Sequence, residues 1–117
     1  MRTIAALVLS GFLLFSTAPA GAHAFLDRAE PRVGNTVRTA PREVTCWFTQ
    51  NLEPAFSTLV VRDSTGAQVS VGRAGVSANM LRVAVKPLPP GVYKVFWRVL
   101  SVDTHTTEGD FSFRVGE

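Results

Sequence analysis

The chain has 117 residues, 46% of them hydrophobic, and a formal net charge of +3. That length suits one domain with a single core and is too short for two. The basic residues stand singly, without a block or interleaved aromatics, which excludes a nucleic-acid footprint, and one cysteine, Cys46, excludes an intramolecular disulfide.

Arg2 precedes an apolar run from Ile4 to Phe15, and the segment Ser16 to Ala22 ends in Ala20-Gly21-Ala22. A short positive region, an apolar stretch too short to span a bilayer and small residues at the end read as a secretory signal, residues 1–22, cut after Ala22. The mature domain is then expected over 23–117, which is 117 minus 22, or 95 residues. Its first residue is His23. No further apolar segment of spanning length follows, so the mature chain is expected outside the membrane.

Strand signals dominate the remainder: short runs rich in Val, Phe, Thr and Trp, separated by Pro and Gly clusters. They predict strands over His23–Glu30, Glu43–Phe48, Ser57–Asp63, Ala67–Val71, Met80–Val85, Gly91–Val99 and Gly109–Val115. Turns are expected at Pro31 to Asn35, at Asp63 to Gly66 and at Pro87 to Gly91, where proline presets φ and glycine permits positive φ. No helical-length window shows a 3.6-residue apolar period free of Gly and Pro. Alternation places Val44, Cys46 and Phe48 on one face, with Cys46 as a small buried hydrophobe and not a reactive thiol. In the longest strand Tyr93, Val95, Trp97 and Val99 share a face and read as core. Lys94 and Arg98 mark the other face, but Phe96 and Leu100 fall there too, so it is not expected to be wholly solvated. The pattern is all-β, a sandwich or a Greek-key barrel.

There are two histidines, His23 and His105. Once His23 is the first residue, its free α-amine and ring Nδ1 can chelate one metal in a six-membered ring. Both are nitrogen donors that give up a proton to a metal at little cost near neutral pH. In Asp103-x-His105 an extended backbone would turn the carboxylate and the imidazole to the same side. Two imidazoles, an amine and a carboxylate form an N₃O set suited to Cu(II), with Zn(II) as runner-up. Met80 is the one methionine of residues 23–117, so a thioether site for Cu(I) is not expected. Simpler roles compete with these: a loop histidine hydrogen-bonded to Asp103, and an aspartate that caps a turn. Periodicity does not bring the N-terminus to the Asp103 loop.

The chain closely resembles the CopC family of periplasmic copper-resistance proteins. The resemblance rests on His23-Ala24-Phe25-Leu26, Pro31-x-x-Gly34, Pro41-x-x-Val44, Phe48-Thr49-Gln50-Asn51-Leu52, Pro90 to Val99, Ser101-Val102-Asp103-Thr104-His105, Gly109 and Phe111-Ser112-Phe113. It implies a seven-stranded, immunoglobulin-like Greek-key β-sandwich or barrel with the N-terminus beside the D-x-H loop. It also implies one Cu(II) per chain, held by the amine and Nδ1 of His23, the carboxylate of Asp103 and the imidazole of His105. A CopD-type inner-membrane copper transporter or a multicopper oxidase would be the partner, in the periplasm. Two departures narrow this. Gln50 stands where some members carry a glutamate near the copper, with Glu53 nearby read as a surface charge, and residues 67–78 lack the methionine-rich loop of members that also bind Cu(I).

Three functions compete. The first is a Cu(II)-binding protein for copper sequestration or delivery. The second is a copper-dependent oxidative enzyme of the polysaccharide-monooxygenase type, which shares the N-terminal histidine chelate but needs an open coordination position and a flat aromatic surface. The third is a sandwich module for protein contacts, with the histidines incidental.

Overall fold

The computed structural model describes residues 23–117; the expected signal segment, 1–22, lies outside them. Two four-stranded sheets face each other. The first has the order β1-β3-β6-β5, from Leu26–Glu30, Glu43–Phe48, Met80–Val85 and Ser70–Ser77. The second has the order β2-β8-β7-β4, from Thr36–Val37, Thr106–Val115, Gly91–Leu100 and Thr58–Asp63. A single 3₁₀ turn, Pro54–Phe56, precedes β4. Among the described residues no helix is long and apolar enough to cross a membrane.

The core forms because period-two alternation aims one row of side chains from each sheet inward. Tyr93, Val95, Trp97 and Val99 of β7 are buried while Val92, Lys94, Phe96 and Arg98 are exposed. Val44, Cys46 and Phe48 of β3 meet them from the other sheet. The Phe48 ring stands edge-on to Trp97 with centroids 5.1 Å apart. Tyr93 stacks on Phe113 at 5.6 Å, and its hydroxyl donates to the Pro89 carbonyl. Opposite Trp97 in the ladder sits Gly109, where a Cβ would lie 2.6 Å from the indole Cζ2. Only a residue without a side chain lets the ring lie there.

The seven expected strands are all present, joined by one that alternation could not reveal. That strand is β2, two residues pairing in parallel with β8. Two strands, β3 and β6, have the expected ends. A third, β5, runs further along the chain than expected because Ala67 to Val69 form a turn exit that touches β4 by a single bridge, Arg62 to Gln68. At Asp63 the expected turn is closed by the side chain. Its Oδ1 accepts from the Thr65 hydroxyl at 2.6 Å and from the Thr65 and Ala67 N–H groups, and those bonds hold the carboxyl below its usual range. Trp47, on the outer face of β3, lies under the Arg28 guanidinium of β1, 3.8 Å from the ring centroid. Phe96 is more open than its pattern suggests, at 38% exposure.

Cys46 is fully enclosed, and burial pushes its thiol up to about 12. In the unfolded chain the thiol ionises near 9.0; between these values the unfolded state loses a proton that the folded state keeps. Stability is therefore whole below the lower value and falls as pH rises toward the upper one, by up to about 1.4 kcal/mol per pH unit. Urea unfolding of the wild type against Cys46→Ala, read as slope against pH, should show this alkaline loss in the wild type alone. Equal slopes would refute it.

Candidate metal centre

The site hangs from the end of the β7–β8 ladder. The last pair of that ladder is Leu100–Thr106, and residues 101–105 close the gap between the strands. Ser101, with no exposed surface, is the hub of this loop. Its N–H donates to the His105 carbonyl at 3.0 Å, and its carbonyl accepts from Thr104 N–H at 2.9 Å. The Ser101 hydroxyl donates to Asp103 Oδ1. The His105 N–H lies 3.3 Å from that same carboxylate oxygen and 3.4 Å from the Ser101 hydroxyl. To make so tight a turn Thr104 takes φ +74°, a left-handed conformation uncommon for a β-branched residue. Asp103 and His105 do converge, with Oδ1 to Nδ1 at 3.2 Å. The cause is this turn and not the extended backbone that the spacing suggested.

The Ser101 hydroxyl, followed by the His105 contacts, holds the Asp103 carboxyl below its usual range. The carboxylate in turn occupies Nδ1 of His105, which leaves Nε2 as the ring nitrogen free for another partner.

The other half of the site comes from the opposite end of the chain. Ala24 is fully buried, and its carbonyl accepts from the Thr107 hydroxyl. Phe25 pairs with Thr49, immediately after β3, through Thr49 N–H to the Phe25 carbonyl at 2.9 Å. With the N-terminal segment seated there, the His23 ring stands edge-on to the His105 ring, centroids 4.3 Å apart. Phe25 lies on the other side of His23, centroids 6.1 Å apart.

Sequence reasoning named His23, Asp103 and His105, and the fold brings all three to one end of the sandwich. It does not gather them into a ready side-chain cage: among the described residues no group of three or more His, Cys, Asp or Glu side chains is arranged to hold a metal ion. Asp103 faces Ser101 and His105, and an N-terminal amine is a main-chain donor that no side-chain cluster includes. The donor chemistry nonetheless fits a tetragonal N and O site for Cu(II). Gln50 is half-buried just beyond β3. Glu53 uses its main chain here, N–H to the Leu100 carbonyl at 2.8 Å and carbonyl to the Ser57 hydroxyl at 2.9 Å. Ser101, Thr49 and Thr107 were not singled out from sequence, because nothing in a lone hydroxyl residue announces which carbonyl it will meet.

The sequence profile of the CopC domain matches residues 26–116, and the chain belongs to the CopC family of copper-resistance and copper-transport proteins. Copper resistance protein C of Xanthomonas campestris pv. juglandis is 33% identical over 123 residues, 97% of this chain and 96% of its own length. The copper transport protein CutJ of Bacillus subtilis (strain 168) is 26% identical across 95% of this chain. The chain spans only 21% of CutJ's length. The crystal structure of CopC from Methylosinus trichosporium OB3b matches with a TM-score of 0.76 and 36% identity, covering 80% of this chain and 94% of that one. Both the all-β fold and the family reading stand, and the oxidative-enzyme alternative falls: CopC proteins are copper-binding and resistance proteins, not enzymes.

If the Ser101 hydroxyl sets the Asp103 carboxylate, Ser101→Ala should let the Asp103 carboxyl climb back toward the ordinary carboxylate range. A carboxyl-carbon NMR titration of the metal-free protein measures this. An unchanged titration would show that the His105 contacts alone are responsible.

Proposed function

We propose that the mature chain begins at His23, resides in the periplasm and holds one Cu(II) per chain for copper sequestration or delivery. The amine and Nδ1 of His23, the carboxylate of Asp103 and the imidazole of His105 form the donor set. The observation that carries this reading is the edge-on pair of His23 and His105 rings, 4.3 Å apart, with Asp103 already against the second ring. Two imidazoles from distant parts of the chain lie at the molecular surface, where a histidine pair has little packing value.

Nitrogen and oxygen donors favour Cu(II) over Cu(I), which prefers thioether and thiolate. Cys46 is sealed in the core, and Met80 is a lone methionine in the mature region. Its neighbours across the sheet are Trp47 and Ser77, neither a soft ligand. One ion in one oxidation state follows. A CopD-type membrane transporter or a multicopper oxidase would receive or supply the ion; support for the first is that a domain like this one forms part of the much longer copper transport protein CutJ.

The decisive comparison uses two proteins, one starting at His23 and one carrying an extra Gly before it. Cu(II) competition titrations and EPR should show tighter binding and a distinct spectrum for the first, because the extension converts the amine into an amide, which binds Cu(II) only by losing its proton. Identical behaviour would refute the N-terminal chelate. Mass spectrometry of the protein recovered from the periplasm should give a chain beginning at His23. His105→Ala should weaken Cu(II) by more than the roughly 10–100-fold that loss of an outer partner costs; a smaller loss would remove His105 from the donor set.

A further inference from the structure

We infer that Thr49 and Thr107 are positioning residues for the copper site, a pair of hydroxyl pins that set the first three residues of the mature chain before any metal arrives. The inference rests on the copper reading above and adds to it a cause for affinity that lies outside the ligands.

Thr49 Oγ1 has one proton to give and gives it to the His23 carbonyl, at 3.2 Å. The same oxygen accepts from Phe25 N–H at 2.9 Å. Its own N–H reaches the Phe25 carbonyl at 2.9 Å. Thr107 gives its hydroxyl proton to the carbonyl between them, that of Ala24. Three consecutive carbonyls, at 23, 24 and 25, are thus each bonded by Thr49 or Thr107. This segment precedes β1 and lies outside the strand ladder, so the two hydroxyls, with the Thr49 N–H, supply what a sheet partner would otherwise supply.

The consequence is chemical. An unconstrained N-terminal histidine must order its backbone when it chelates, and the freedom lost per residue weakens binding by about tenfold. Cu(II) at a mobile N-terminus also has access to the amide nitrogens that follow, displacing their protons. Here Phe25 N–H is already committed to Thr49, and the carbonyls on either side of the Ala24–Phe25 link are held. The pins present amine and ring toward His105 and disfavour a shift into amide coordination. They touch no metal, and neither threonine offers a donor of its own: each hydroxyl is engaged by backbone.

The test uses the chain starting at His23 with Thr49→Val and Thr107→Val, which keep branching and remove the hydroxyl. Each is made again in the Gly-extended chain. In the metal-free protein, amide exchange at Phe25 should speed up in Thr49→Val while the exchange of β7 and β8 is unchanged. Cu(II) should bind each variant about tenfold more weakly, and alkaline EPR should reveal a second, amide-bound species that the parent lacks. Thr49→Ser and Thr107→Ser should restore parent behaviour. The affinity loss should vanish in the Gly-extended background, where the chelate is already gone; a merely structural role would lower both backgrounds alike. Faster Phe25 exchange with Cu(II) affinity within twofold of the parent would overturn the inference, as would an equal loss in both backgrounds. Should one valine variant fail to fold, the other and the serine pair decide. Failure of the copper reading is separately visible, since it would leave the parent and its Gly extension alike.

Discussion

The β7–β8 ladder runs unbroken for ten residue pairs, from Gly91–Val115 to Leu100–Thr106, and the rest of the molecule is arranged around its two ends. Its middle ties the sheets together. Trp97 can lie across the ladder because its partner is Gly109, and from there the indole meets Phe48 of the opposite sheet edge to face. The residue after Phe48 is Thr49, and two residues before Gly109 comes Thr107. One aromatic contact in the core therefore joins the two strands next to which the Thr49 and Thr107 hydroxyls lie. The far end of the same ladder stops at Leu100–Thr106, where a five-residue loop must reverse the chain. A loop that short, held on the buried Ser101, has few ways to place Asp103 and His105.

Two opposite requirements meet at that loop. In the proposed donor set the Asp103 carboxylate must stay ionised, and hydrogen bonds from Ser101 and His105 favour that form. An imidazole ligand must be neutral and correctly turned, and a carboxylate on one ring nitrogen selects the tautomer that leaves the other free. Both needs are met by the same oxygen, Asp103 Oδ1, which touches Ser101, the His105 ring and the His105 N–H. The left-handed Thr104 is the local cost, of order 1–2 kcal/mol for a residue with a side chain. It persists because the flanking contacts over-determine the turn.

Legibility in the sequence followed the physics of each element. Strands whose faces differ sharply in polarity, β3, β6 and β7, were readable because alternation is a one-dimensional signal. By contrast β5 was misplaced: its Gly72 and Gly75 dilute the pattern, and its register with β6 shifts between Val71 and Gly75. β1 begins at Leu26 and not at His23 because residues 23–25 look like strand yet bond to the Thr49 and Thr107 hydroxyls and to the Thr49 N–H in place of a strand ladder. At the site, His105 and Asp103 were readable as chemical types at close spacing. Their actual route of convergence, through Thr104, was not, since no pattern rule favours threonine at positive φ. The meeting of His23 with His105 joins segments about as far apart as Ala24 and Thr107, 83 residues. That distance in sequence is bridged only by the tertiary fold, or by resemblance to chains that share it.

The N-terminal location of the site has a further physical meaning. Every other donor in the proposed set is a side chain, replaceable one residue at a time, but the α-amine exists only once the peptide bond after Ala22 is broken. Before that cleavage the nitrogen is an amide, a poor donor for Cu(II) without loss of its proton. After it, the nitrogen is an amine whose proton leaves at a cost of about one pK unit at neutral pH. The fold leaves His23 half-exposed and buries Ala24 directly behind it, so the proposed cut would fall where the backbone passes from the surface into the core. A site built this way gains its full donor set only in the compartment where the signal has been removed. In the proposed site, selectivity for place would be a property of covalent chemistry at one bond, while selectivity for metal would be a property of the nitrogen and oxygen donors at the ladder end and the N-terminus.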